Sequence, residues 1–264
     1  METSHEVSLD LIRRDVGRSV VFRYSSSTGS NDSSLAIPAY ASERLAQALE
    51  DTIKLPPKSP LSSVSSSPDS SHQQQQQQQQ YHYYQGLHDV AGVVLHQLDY
   101  QADLGTQIMQ RLAHSHWRDA LRENFGNVTW ILQHCFLPLV ERVAPMVYGQ
   151  LQGVVELCNN LVLPWMITWF THDIFDAETA GRLVDAFMAS HPLLPLYVSV
   201  ALVTHSKWRD EIVTADPNDP TSLFVTMKLL PKYIVASGQS TTTGRNEQRQ
   251  VTVQELLDDA LEIL

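Results

Sequence analysis

Tyr81-His82-Tyr83-Tyr84-Gln85-Gly86-Leu87-His88-Asp89 stands at the sharpest change of composition in the chain. Before it lie a Ser/Pro segment and a run of eight glutamines, Gln73–Gln80. After it the apolar periodicity is helical almost to the end. Tyr83-Tyr84-Gln85-Gly86 fits the pattern Y-x-Q-G and leads straight into an amphipathic segment, His88–Leu98. Glycine ahead of a helix lets another backbone come close, and a helix N-terminus favours anions such as phosphate. Gln85 therefore has two readings. It is a hydrogen-bonding side chain presented to a phosphate or a partner surface, or it is one more residue of a Gln-rich loop entering a core helix.

The 264 residues suffice for one large all-α domain or two small ones, and 43% of them are apolar, enough for a sizeable core. The net charge of −11 argues against gripping nucleic acid or an anionic membrane by charge alone. The two cysteines, Cys135 and Cys158, lie far apart in apolar contexts. They read as buried thiols of a reducing compartment, not as a disulfide framework or a zinc site. The N-terminus has neither a basic region nor an apolar core, so no signal peptide is expected. Ala186–Ser206 carries no charge over 21 positions, long enough to span a bilayer. His191-Pro192 and Pro195 break it, and it reads as two shorter buried helices, 177–190 and 194–204.

Ser8 suits the cap of a helix running to about Phe22. In it Ile12, Asp15 and Arg18 fall at i, i+3 and i+6, so that a carboxylate neighbours a guanidinium on one face. The plain alternative is a solvated basic face shared with Arg13 and Arg14. A second helix is expected over 43–53, with Leu45, Ala48, Leu49 and Thr52 inward. Lys54–Gln80 holds four prolines, many serines and the glutamines, and reads as a disordered insertion. Helices then follow at 88–98, 102–113, 117–124, 128–143 and 145–153. Leu161–Phe170 is apolar all round and must be buried, with Pro164 suited to its first turn. Asp176 caps 177–190, with Leu183, Val184 and Phe187 inward. Short helices at 208–213 and 221–229 flank a turn at 216–220. Ser237–Arg249 reads as loop, and Thr252 with Glu255 forms a capping box for a last acidic helix. No strand signal competes.

Two of these patterns, in this order, resemble the motifs of TBC domains, the Rab GTPase-activating proteins. I-x-x-D-x-x-R at Ile12, Asp15 and Arg18 is similar to the family's arginine-finger motif. Tyr83-Tyr84-Gln85-Gly86, continued by His88-Asp89-Val90, resembles its glutamine-finger motif, closest to the branch acting on ER-to-Golgi Rabs. Trp165–Phe170 and Asp185–Pro195 look like family core segments. The resemblance spans roughly 7–24, 41–53 and 81–214. It implies an all-α multi-helix TBC/Rab-GAP fold. The first part of the domain is 1–53, the insertion 54–80, the remainder 81–232, and a polar loop with an acidic helix closes the chain over 233–264. Family members carry further helices before the arginine-finger helix, whereas 11 residues precede Ile12 here, so the domain reads as shortened at its N-terminus. That branch also ends in a hydrophobic membrane anchor, and no such segment follows residue 214.

The chemistry the resemblance implies is acceleration of GTP hydrolysis on a GTP-bound Rab, in vesicle traffic. Hydrolysis is limited by placing the attacking water and by neutralising charge on the phosphoryl oxygens. Arg18 would supply the fork-shaped, permanently charged group that lysine cannot reproduce. Gln85, both donor and acceptor, would act in place of the GTPase's own glutamine. Asp15 would hold Arg18, Ile12 would pack its helix, Tyr83 and Tyr84 would support the loop, and Gly86 would let it approach the nucleotide. Magnesium and GTP belong to the partner, so no cofactor or metal of this chain is implied, and no nucleic acid or membrane span. The location implied is cytoplasmic, with recruitment to ER/Golgi membranes through the Rab. A catalytically weak Rab-binding scaffold of the same fold is the alternative. A further one is an all-α HD-type metal phosphohydrolase using His88-Asp89, with His82, His114, His116 and His134 as candidate ligands.

Overall fold

A computed structural model of the chain describes residues 4–18, 40–54, 81–122, 124–174, 176–216, 218–236 and 249–264. The expected insertion from residue 55 on, the stretch from 19 to 39 and most of the 237–249 loop lie outside the described residues. The helices in order are α1 (Ser4–Val16), α2 (Ala41–Ile53), α3 (Leu87–Gln97), α4 (Ala102–His114), α5 (Gly126–Ile131), a π-helical turn (Leu132–Phe136) and α6 (Leu137–Val143). They continue with α7 (Pro145–Leu151), α8 (Val155–Thr168), α9 (Ala177–Met188), α10 (Leu194–Thr204), α11 (Ser206–Val213), α12 (Pro220–Leu229) and α13 (Val253–Ile263). The all-α class is as expected. Among the described residues the departure from it is a pair of two-residue strands, β1 (Ile234–Val235) and β2 (Val251–Thr252), which run parallel and bring α13 back to the core.

Helix α3 is the hub. Every residue from Leu87 to Leu95 is buried, so this helix is enclosed on all faces and is not the half-wet amphipathic element its sequence suggests. Its neighbours explain the enclosure: α1, α2, α4, α8 and α9 all pack against it. A helix surrounded in this way must satisfy any polar side chain it carries inside the protein, and α3 carries His88 and Asp89. Helix α2 places Leu45, Ala48, Leu49 and Thr52 inward as its period requires. Arg13 of α1 reaches Glu50 of α2 at 3.3 Å, which takes it out of a common basic face with Arg18.

The second half is built around α10. Leu194–Thr204 forms as read, and ten of its eleven residues are buried beneath α6, α8, α11 and α13. The uncharged stretch breaks at 189–193, and among the described residues no helix is long and apolar enough to cross a membrane. Asp176 caps α9 by accepting from Thr179 N–H at 2.7 Å, with Leu183, Val184 and Phe187 inward. Thr252 and Glu255 form their capping box.

Three local expectations change. Of the expected 117–124 helix, residues 117–122 are turn: Trp117, Ala120 and Leu121 are buried at helical spacing, one helical bond joins Leu121 N–H to Trp117 O, and Trp117 turns in against Trp169. Pro164 sits in the interior of α8, not in its first turn, because α8 begins six residues before Leu161. Only Cys158 is fully buried, and burial pushes its thiol up to about 12; Cys135 is half-buried.

Candidate functional site

Helix α1 ends at Val16 and buries Ile12, Asp15 and Val16 on one side. Gly17 propagates a helix poorly, and Arg18 follows it on a turn closed by Arg18 N–H to the Asp15 carbonyl at 2.8 Å. The expected continuous helix to Phe22 is therefore not formed through this point. Arg18 leaves the helix end as an exposed residue tied to Asp15 through the backbone.

The 81–86 stretch runs across the N-terminus of α3 and is fastened by its tyrosines. The Tyr81 hydroxyl meets His114 Nδ1 at 2.8 Å, and the Tyr84 hydroxyl donates to the Ile167 carbonyl of α8 at 2.7 Å. The Tyr83 hydroxyl donates to Asp15 Oδ2 at 3.0 Å and meets His88 Nδ1 at 2.9 Å. Burial raises the pKa of both the Tyr83 and Tyr84 phenols, with the Asp15 carboxylate adding to the effect at Tyr83, so both stay protonated. Gln85, between these anchors and Gly86, is exposed.

Gly86 supports this arrangement in two ways. Its φ of +104° is one that side chains avoid, and a Cβ there would lie 2.6 Å from Thr168 Cγ2. The glycine is thus needed for packing against α8. Gly86→Ala should lower stability by about 1–3 kcal/mol, the scale of a strained backbone position, and should shift Gln85 with it. Urea unfolding checks the first and a crystal structure of the variant the second.

Beneath the loop lies a polar chain that joins α1 to α8. Asp15 and Asp89 are both buried, Asp89 fully so. His88 stands between them, with Nδ1 facing Tyr83 and also accepting from Gly86 N–H at 3.3 Å, and Nε2 at 3.5 Å from Asp89 Oδ1. His172, on the turn after α8, brings Nδ1 to 2.9 Å from Asp89 Oδ2. His88 thus fastens the start of α3, and the Asp89 carboxylate faces the two imidazoles. The adjacent Asp173 carboxyl is pushed above the usual carboxylate range by burial, against the pull of His172, Lys228 and Lys232. Tyr83→Phe removes the hydroxyl between Asp15 and His88 and takes from the buried Asp15 carboxylate the hydrogen bond it accepts there. It should cost about 1–3 kcal/mol in urea unfolding, and it should loosen the contact between α1 and the loop.

A pocket of about 460 Å³ opens over this chain, lined by Asp15, Arg18, Gln85, His88 and His172. Residues 67 positions apart in sequence, Arg18 and Gln85, thus share one cavity. Of the other residues singled out from sequence, Asp15 lines the pocket, Tyr83 ties it together, Tyr84 and Gly86 hold the loop to α8, and Ile12 is core. His172 was not signalled by any motif; its partner Asp89 lies 83 residues away. Three of the four histidines considered as further metal ligands are engaged elsewhere: His114 with Tyr81, His116 with the Ser190 carbonyl, His134 with the Trp130 carbonyl. Among the described residues no group of three His, Cys, Asp or Glu side chains converges as a metal site.

A model of the Rab-GTPase-TBC domain matches residues 73–213, more than half of the chain. The chain belongs to the Rab-GTPase-TBC domain family. Mouse TBC1 domain family member 20 is 34% identical to it over 133 residues, 50% of this chain and 32% of that protein. The human protein of the same name is 33% identical over the same length and shares. The Schizosaccharomyces pombe GTPase-activating protein gyp10 is 33% identical over 124 residues, 47% of this chain and 32% of that one. The matched part is thus about a third of each relative's length. The TBC match begins after α1 and α2, so it includes Gln85 and not Arg18.

Proposed function

We propose that this TBC domain is a GTPase-activating module for a GTP-loaded Rab, with Arg18 and Gln85 entering the partner's nucleotide site together. The observation that carries the proposal is the shared pocket: an exposed arginine and an exposed glutamine, from separate segments, held side by side by the Tyr83–Asp15 hydrogen bond. The division of labour follows from the side chains. The guanidinium opposes charge growing on the phosphoryl oxygens, and its planar fork can meet two oxygens at once. The carboxamide accepts a hydrogen bond from the attacking water and donates one to a phosphoryl oxygen, fixing the line of attack. Neither residue needs to gain or lose a proton. Preorganisation comes from below, where the tyrosine anchors and the buried Asp15 hold the two segments in place, so little ordering remains to be done on docking.

GTP and its magnesium ion are the partner's in this scheme, and the chain acts at ER/Golgi membranes by engaging the Rab there. The name of the gyp10 relative, a GTPase-activating protein, supports the activity. The test is GTP turnover by a panel of purified Rabs with and without the chain. Acceleration of at least one Rab by two orders of magnitude or more is expected, on the scale of one well-placed charge-stabilising group. Tight binding to GTP-loaded Rabs with no acceleration of any would make the chain a Rab-binding scaffold instead.

A further inference from the structure

His172 is placed in the pocket by features that no finger motif requires. It follows α8 on a turn in which two bulky aromatic residues, Trp169 and Phe170, take left-handed backbone angles of φ 50° and 63°. Such angles are unfavourable for large side chains and persist where the surroundings enforce them. Here they are enforced: Trp169 packs on Trp117 and Phe187, Phe170 packs on Trp165 and Phe187, and the turn is closed by bonds from Thr171 and Asp173 back to Thr168 and Phe170. The result is that the His172 ring is brought back over the start of α3 onto Asp89.

The Asp89 side chain has no solvent exposure, while 47% of the His172 side chain is exposed, in the same pocket as Arg18 and Gln85. A buried carboxylate behind Nδ1 takes the hydrogen of that nitrogen and fixes the ring's orientation, and a ring that carries hydrogens on both nitrogens donates from Nε2 as well. Two cationic or donating groups, Arg18 and His172, thus rim one cavity in a chain whose net charge is −11. The acidic groups at and beneath that cavity are turned to internal partners, Asp15 of its lining to Tyr83 and the buried Asp89 to the two histidines. The pocket therefore suits a negatively charged visitor at two points, not one.

We infer that His172, backed by Asp89, is a recognition residue of this site that donates a hydrogen bond to an anionic oxygen of the docked GTPase, a carboxylate or the γ-phosphate of its nucleotide. The inference rests on the proposed Rab-directed activity. The contact is made on docking and persists through hydrolysis, so it sets affinity and leaves the chemical step alone.

The test is single-turnover hydrolysis by a GTP-loaded Rab that the wild-type chain activates, titrated with wild type, His172→Ala, His172→Asn and His172→Gln. Alanine should raise KM about 10-fold, the value of one charge-assisted hydrogen bond, with kcat within about 2-fold of wild type. Asparagine keeps a donor for Asp89 but loses the reach of the ring, and should behave like alanine. Glutamine extends an N–H toward the position of Nε2 and should recover most of the loss. Equilibrium binding separates the two sources of the oxygen: a loss for both GDP-loaded and analogue-loaded Rab assigns a carboxylate, and a loss confined to the GTP-analogue form assigns a phosphate. Wild-type KM in His172→Ala overturns the inference, as does a fall in kcat at unchanged KM. So does equal impairment by alanine and glutamine together with a lowered melting temperature, which would mean a purely structural role. A wild-type chain inert on every Rab overturns the proposed function, and this inference with it; an active wild type beside an indifferent His172→Ala overturns this inference alone.

Discussion

Arg18→Ala should reduce the acceleration of GTP hydrolysis by about 10³–10⁵-fold, the range that a guanidinium supplied in trans contributes to phosphoryl transfer. Arg18→Lys should be almost as severe. Lysine keeps the charge but offers a point donor on a flexible stem where a planar fork is needed. Neither change should unfold the chain, because Arg18 is exposed beyond the end of α1 and the helix is anchored through Ile12, Asp15 and Val16. Nor should binding to GTP-loaded Rab be lost, since most of any interface of standard size lies outside one side chain. The assay is single-turnover hydrolysis with circular dichroism and a pull-down as controls. Loss of activity in the alanine variant with full activity in the lysine variant would reduce Arg18 to a source of charge.

Gln85→Ala should be nearly as damaging, on the order of 10²–10³-fold, the scale for removing one group preorganised for the transition state. The comparison within the sequence is Gln80→Ala, in the glutamine run, which should change nothing. If Arg18 and Gln85 serve one transition state, their effects should not multiply, and the double variant should be little worse than the worse single one.

Much of this was readable from residue patterns, for identifiable reasons. Helix α10 came out with its observed ends because a proline at its start and a His-Ser break at its finish mark it, and because an apolar run of that length has to be buried. The caps of α9 and α13 were readable because an Asp or Thr side chain bonding three residues on is a local interaction. What was not readable depended on distant parts of the chain. Nothing within 88–98 tells that five other helices enclose α3, so the segment read as amphipathic. The turn at 115–122 carries the spacing of a helix, and only the pull of Trp117 toward Trp169, from beyond α8, decides otherwise. The same holds for the site. Arg18 and Gln85 were legible as motif positions. The Tyr83–Asp15 bond that joins their segments spans 68 residues, and the His172–Asp89 pair spans 83, beyond the reach of any local pattern.

The central claim is that Gln85, and not the GTPase, supplies the carboxamide that positions water. The most direct measurement uses a Rab whose own catalytic glutamine has been replaced by alanine, so that only one candidate remains. Single-turnover hydrolysis by this Rab is followed with the wild-type chain and with Gln85→Ala. The account predicts that the wild-type chain still accelerates hydrolysis and that Gln85→Ala does not. Full acceleration by Gln85→Ala would contradict it, and Gln85 would then be only the last residue of a glutamine-rich tract.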